Sequence, residues 1–74
     1  MTTVNSVVLV DPEILSGTPC FTGTRVPIQT LMDYLRSGDR IVDFLDDFPT
    51  VQREQVEAVL DVAGEAVTLY ARSA

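Results

Sequence analysis

A segment rich in glycine and proline, residues 16–27, constrains this chain most, because it joins an apolar N-terminal run to a remainder with helical periodicity. Its glycines accept positive φ at little cost, and its prolines fix φ and push the preceding residue toward extended geometry. Four residues are therefore predicted to form a structural turn: Gly17, Pro19, Gly23 and Pro27. The segment is interpreted as an ordered, twisted connector.

Inside the connector, Phe21 and Val26 flank four residues that include Gly23. This pattern is typical of a tight hairpin or a bulge. A pair of glycines also suggests a phosphate-binding loop, but such a loop needs a lysine after its last glycine, and none follows here. The turn is therefore interpreted as structural.

Three helices are predicted after the connector from apolar spacing and from capping residues. Gly38 stands where a left-handed residue ends the first helix, and Pro49 ends the second. Asp46 and Asp47 oppose the dipole of the second helix, which raises the alternative of a cation docked there. The predicted bounds are Ile28–Ser37, a second helix from the N-cap Asp39 to Phe48, and Val51–Arg72 with Thr50 as N-cap.

Before the connector, Met1–Ser6 shows no periodicity and is expected to fray. Val7–Val10 is an apolar run rich in β-branched residues, and it is predicted to form a short strand covered on both faces. A strand this short is unstable alone, so it is expected to pair either with Phe21–Val26 or with its copy in a second subunit. Asp11 is expected to accept backbone N–H groups in the turn that follows.

The fold class predicted from these elements is mainly α. One domain, residues 1–74, is expected to consist of an extended arm (1–27) with a short strand or hairpin, followed by a three-helix bundle (28–74). Two short turns between three helices match a helix-turn-helix-like, or homeodomain-like, arrangement.

An ordered set of short motifs runs through roughly residues 7 to 63: Asp11–Ile14, Ser16–Cys20, Gly23–Pro27, Gly38 and Phe44–Pro49. In this order they resemble the bacterial domain-of-unknown-function family 433. The resemblance implies a small protein of the helix-turn-helix type, and many members are thought to be antitoxins that pair with a ribonuclease-like toxin. It brings no catalytic residues.

Length and cysteine content predict self-association. A core built from 74 residues supplies only about 3–5 kcal/mol, so a further source of stability is expected. The single Cys20 excludes an internal disulfide, and a chain with no histidine has no zinc-type ligand set. Cys20 is interpreted as a small buried hydrophobe, because no histidine is present to activate it. A homodimer without metal or cofactor, and not an enzyme, is therefore predicted.

Charge predicts the kind of partner. Five arginines against eleven acidic residues give a net charge of −6, which repels a phosphate backbone and suits a basic protein. The alternative is that the acidic surface only confers solubility.

Val7–Val10 is far shorter than the ~20 residues that span a membrane. With a lone cysteine and no signal-like N-terminus, these features predict a soluble cytoplasmic protein without a small-molecule substrate.

The third helix carries the most informative surface. On a wheel of 100° per residue, its acidic residues share one side with Arg72, and apolar residues fill an arc of roughly 200° on the other, more than two short helices cover. Its C-terminal half is therefore predicted to pack against another chain or, alternatively, under the N-terminal arm. The candidate partner-binding residues are Arg25, Glu54, Glu57, Asp61, Glu65, Leu69, Tyr70 and Arg72.

Three functions remain open. The first is an antitoxin-like protein that binds and neutralises a ribonuclease-like toxin, with Arg25 or Arg72 placed among the toxin's carboxylates, and with operon autoregulation as a complex. The second is a dimeric DNA-binding regulator, although three carboxylates beside Arg53 have the wrong sign for a DNA groove, so DNA binding is expected only weakly or as a complex. The third is a stand-alone oligomeric structural or interaction module. In the first function Leu69 and Tyr70 are expected to anchor the partner, and the alternative for Tyr70 is a dimer contact.

Overall fold

The computed structural model describes residues 7–73, so the fraying predicted for Met1–Ser6 lies outside the described residues. Its architecture is mainly α, with three helices and a short antiparallel strand pair near the N-terminus, as predicted. The elements in chain order are β1 (Val8–Leu9), a single 3-10 turn (Leu15–Gly17), β2 (Cys20–Phe21), α1 (Ile28–Arg36), α2 (Ile41–Asp47) and α3 (Arg53–Ser73).

The arm folds back on itself through β1 and β2, which pair antiparallel. The Thr22 N–H donates to the Val7 carbonyl at 3.0 Å, and the Phe21 N–H donates to the Val26 carbonyl on the other side at 3.0 Å. Pairing of the N-terminal run within its own chain, one of the two predicted arrangements, is therefore confirmed. Cover on both faces is not, because Leu9 is 38% exposed.

The hairpin turn at Gly23 is confirmed. Gly23 has a φ of 81°, a conformation that costs little only for glycine. Thr24 fixes the turn: its N–H and its hydroxyl both donate to the Phe21 carbonyl, at 3.0 Å and 2.8 Å. The same hydroxyl accepts the Val26 N–H at 3.0 Å. This short segment is held by local hydrogen bonds as well as by packing.

A second, left-handed turn precedes the hairpin. Gly17 has the predicted positive φ of 87°, but Leu15 and Ser16 also lie in the left-handed region, at 49° and 56°. Each non-glycine residue in this conformation costs about 1–2 kcal/mol. Thr18 holds the turn, because its hydroxyl donates to the Leu15 carbonyl at 2.8 Å and its N–H donates to the same oxygen at 3.2 Å. Asp11 accepts the Glu13 N–H at 2.9 Å in the turn before it, as expected.

One hydrophobic core joins the arm to the bundle. The buried residues come from β2, the hairpin, the three helices and the turn before α3: Cys20, Phe21, Val26, Leu31, Phe44, Val51, Val56 and Val59. The rings of Phe21 and Phe44 lie 5.9 Å apart, and Tyr34 meets Phe44 edge-on at 5.4 Å. Cys20 is buried, as predicted, and its thiol donates to the Thr18 carbonyl at 3.3 Å.

The predicted N-cap of the second helix was wrong by one residue. The N-cap of α2 is Arg40 rather than Asp39. The reason lies three residues on, where an Asp43 carboxylate oxygen accepts the Arg40 N–H at 2.9 Å. Hydrogen bonding from the Arg40 backbone, followed by its guanidinium, lowers the pKa of Asp43. The first helix ends at Arg36, with Ser37 as its C-cap, one residue earlier than predicted.

The predicted start of the third helix was also wrong, because Thr50 does not cap it and Val51 is not in it. The Val51 N–H donates to the Phe48 carbonyl at 3.0 Å, which turns the chain before α3 begins. This turn brings the Val51 side chain into the core, where it is 4% exposed. Burial of an apolar side chain therefore takes precedence over the local capping preference of Thr50.

We predict that Gly23→Val lowers the free energy of unfolding by about 1–3 kcal/mol, because a β-branched residue is strained at positive φ. No heavy atom lies within 4 Å of the position that a Cβ would take, so the loss would come from the backbone alone. Gly64→Ala is the matched control: it lies in a helix with equally open space and should gain up to about 1 kcal/mol. Urea denaturation measures both, and equal stability of Gly23→Val and the parent would contradict the turn assignment.

Candidate functional site

The candidate residues lie on two surfaces, of which the first surrounds Arg25. This arginine lines an open cleft of about 540 Å³ at the side of the hairpin. Apolar side chains from the arm form much of the cleft, and Thr50 closes it beside the start of α3. We call this the arginine cleft, and its lining residues are Leu9, Ile14, Gly23, Thr24, Arg25, Val26 and Thr50.

Gln55 ties the hairpin to α3 and so fixes the position of the arginine cleft. Its side-chain N–H donates to the Thr22 carbonyl at 3.0 Å, while its side-chain oxygen accepts the Gln52 N–H at 2.9 Å. The second bond satisfies a backbone donor at the helix start, as the glutamine of a capping box does. One side chain therefore both begins α3 and anchors the turn that presents Arg25.

Arg25 has no carboxylate partner among residues 7–73. The one ion pair in that range joins the Arg40 guanidinium to Asp43, with a nitrogen–oxygen distance of 3.4 Å. The Arg25 side chain is exposed at the rim of an apolar cleft. A planar guanidinium in this setting is suited to a bidentate contact with a carboxylate from another molecule.

The second surface is the acidic face of α3, defined by Glu54, Glu57, Asp61 and Glu65. All four residues are exposed, and none takes part in an ion pair within the described chain. Arg72 lies further along the same side, and it borders one surface depression together with Glu65. The predicted clustering of these residues on one side of the helix is therefore seen, with carboxylates accessible along its first four turns.

The apolar candidates Leu69 and Tyr70 lie in the last turns of α3 and are 62% and 77% exposed. Every residue from 64 to 73 is exposed. The described part of the arm meets α3 only as far as Ala63, where Val8 and Pro19 share a groove with it. Cover by the arm, the predicted alternative, is thus absent for the described residues.

The acids at the end of α2 are explained in part by a hydrogen bond. The Tyr34 hydroxyl donates to an Asp47 carboxylate oxygen at 2.6 Å and so joins α1 to α2. This bond is the main reason that the pKa of Tyr34 is raised, and desolvation and nearby acids add to it. A phenol, rather than the cation considered from the sequence, therefore meets Asp47, while Asp46 is exposed.

Sequence reasoning missed Gln55 as a support of the arginine cleft. The spacing of Gln52 and Gln55 was the available signal, because a glutamine at the third helical position typically returns to cap the helix start. The cleft walls Leu9 and Thr50 carried no such signal, since a cleft between distant segments depends on tertiary packing.

Residues 7–73 hold no group of three or more side chains with the arrangement of a metal site. None of the described helices combines the length and the apolar character needed to cross a membrane.

Comparison with known proteins identifies a family model, DUF433, described as a protein of unknown function, which matches residues 8–63. No curated protein and no solved structure matches the chain. The matched range contains the arginine cleft, Glu54, Glu57 and Asp61, and it ends just before the exposed residues 64–73.

We predict that Gln55→Glu destabilises the protein by about 1 kcal/mol at neutral pH, because a carboxylate cannot donate to the Thr22 carbonyl. Local rules alone predict the opposite, since glutamate is favoured in the first turn of a helix. The penalty should shrink as the pH falls below about 4, where a protonated glutamate donates again.

Gln52→Glu provides the control for the glutamine substitution, because it makes the same charge change at an exposed side chain. Its stability should stay within about 0.5 kcal/mol of the parent. Thermal unfolding of both variants from pH 3 to pH 7 distinguishes the expected loss of the Thr22 hydrogen bond from the stabilisation that the local helix preferences predict. A Gln55→Glu variant more stable than the parent at pH 7 would show that the bond to Thr22 contributes nothing.

Proposed function

Because the chain belongs to the DUF433 family, for which no function is described, we propose from its surface that it is a non-catalytic, antitoxin-like protein. In this proposal it binds and neutralises a cognate ribonuclease-like toxin. The observation that supports it most is the acidic face of α3, four exposed carboxylates without ion-pair partners in the described chain.

The carboxylates of the acidic face are regularly spaced, as the phosphates of a nucleic-acid strand are. Glu54, Glu57, Asp61 and Glu65 follow one another at intervals of three or four residues, or about 4.5–6 Å along the helix axis. A protein that binds RNA has a surface arranged for regularly spaced negative charge. The acidic face therefore suits that surface and would compete with RNA for it, while attracting the partner over a distance.

The arginine cleft supplies a second, opposite contact. A metal-dependent ribonuclease holds its metal with clustered carboxylates, and an exposed guanidinium is suited to bind the same carboxylates in place of the metal. The backbone at Arg25 is held in place for this role, because Gly23, Thr24 and Gln55 fix the conformation of the turn that carries it. Arg72 is the other candidate, because it lies in the part of α3 where all residues are exposed.

Isolation of the partner tests the proposal directly. A tagged chain recovered from its native host should carry with it one small basic protein, and the recovered partner should degrade RNA once the tagged chain is removed. Restoring the tagged chain should abolish that degradation. A recovered partner without ribonuclease activity would reject the toxin class, and recovery of DNA alone would favour a regulator.

We predict that the double variant Glu57→Lys and Asp61→Lys slows association with the recovered partner at least about tenfold at low salt and flattens the salt dependence of that rate. The matched control reverses two exposed acids elsewhere, Glu13→Lys and Asp46→Lys, and so makes the same change of net charge. Its association rate should fall much less. Equal association rates for the two double variants, measured by surface-binding kinetics, would show that the acidic face is only a solvated surface and does not attract the partner.

A DNA-binding regulator is the second candidate, and the arrangement of three helices is the observation in its favour. We predict that the isolated chain binds duplex DNA only weakly, because Glu54, Glu57 and Asp61 are exposed where a recognition helix would face bases. A gel shift with upstream DNA, with and without the partner, measures this. Binding in the nanomolar range by the chain alone at physiological salt would favour the regulator.

A further inference from the structure

The last turns of α3 are exposed along their whole length. Residues 64–73 are helical and all exposed, which makes about 15 Å of helix without tertiary packing. Helices in proteins gain most of their stability from packing an apolar face. Val67, Leu69 and Tyr70 are 66%, 62% and 77% exposed on this segment. Such a segment is suited to packing against another molecule.

A groove lies next to this segment on the same helix. It has a volume of about 400 Å³ and is almost entirely apolar, because it is formed where the arm, α1 and α3 meet. Its apolar lining includes Val8, Pro19, Ile28, Met32, Val59 and Val62. The groove is open to solvent and provides room for large apolar side chains.

The groove and the exposed segment belong to one continuous face of α3. Val59, Ala63, Ala66 and Tyr70 follow at intervals of three or four residues and therefore line up along the helix. The centre of the groove and the centre of the exposed apolar residues are about seven residues apart, or ~10 Å along the axis. This displacement on one face is the geometry of a self-complementary surface.

From this geometry we propose that α3 pairs antiparallel with α3 of a second copy, about a two-fold axis that passes between Ala63 and Ala66. Tyr70 of one copy then lies opposite Val59 of the other and enters its groove, and the same contact forms a second time by symmetry. The two alanines allow the helix axes to approach closely at the crossing. Antiparallel pairing also opposes the two helix dipoles favourably.

The distribution of charge on α3 favours a second copy as the occupant. At 100° per residue, the half of α3 centred on this face carries no charged side chain from Gln55 to Ser73, while every acid and arginine of the helix lies on the other half. Two copies with a charge of −6 each repel one another, so they associate best through a face without carboxylates. A cationic partner is instead attracted to the opposite side. The inference does not depend on the proposed function, and the dimer leaves both acidic faces open.

Sedimentation equilibrium tests the pairing. The protein should have twice the chain mass of 8.1 kDa at micromolar concentration. Tyr70→Asp should raise the dissociation constant at least about 30-fold, as loss of a buried aromatic anchor does. Thr68→Asp is the control, with the same charge on the same exposed turns but on the other half of the helix, and its dissociation constant should rise much less.

A charge complementation tests the register. Ala63→Asp and Ala66→Lys should each weaken self-association, because each places like charges near the two-fold axis, and their equimolar mixture should form a heterodimer. Circular dichroism and urea unfolding of each variant establish that the core remains folded. A parent that stays monomeric at millimolar concentration, equal effects of Tyr70→Asp and Thr68→Asp, or no recovery in the mixture would each overturn the proposal.

Discussion

Phe21 is the residue on which the arm, the hairpin and the bundle all depend. Its N–H donates to Val26, and its carbonyl accepts both hydrogen bonds from Thr24, so its backbone is bound on the hairpin side. Its fully buried ring meets Phe44 of α2. An arm with only a two-residue strand pair is not stable alone. It is ordered because its central side chain belongs to the core of the helices.

The same coupling explains why the candidate site has a defined shape. The hairpin that carries Arg25 is anchored by the buried ring of Phe21 and, at the next residue, by the hydrogen bond from Gln55 on α3 to the Thr22 carbonyl. A surface arginine on a flexible loop loses side-chain and backbone entropy when it binds. Here the backbone part of that cost is met on folding, and only the arginine side chain remains to be ordered.

The sequence carried enough information for the elements and for the glycine turns, but not for their exact junctions. Positive φ at Gly17 and Gly23 followed from chemistry that glycine alone offers cheaply, whereas Leu15 and Ser16 adopt that conformation in a turn held by hydrogen bonds from Thr18 to the Leu15 carbonyl. The starts of α2 and α3 were misplaced for a related reason. At α2 the local bond from the Arg40 N–H to the Asp43 carboxylate outweighed the capping preference of Asp39. At α3 the burial of Val51, which depends on the folded chain, outweighed that of Thr50.

The two candidate surfaces also differ in how far the sequence could predict them. Helical periodicity placed the acidic face and the apolar arc correctly, because both are properties of a single helix, whereas the arginine cleft joins segments that only tertiary packing brings together. The separation of charged and uncharged halves on α3 gives the helix two independent uses. In the proposed arrangement, a second copy covers the uncharged half and adds stability through mass action, which a core of this size needs. Each acidic face then points away from the two-fold axis, so that self-association and capture of a cationic partner do not compete for the same surface.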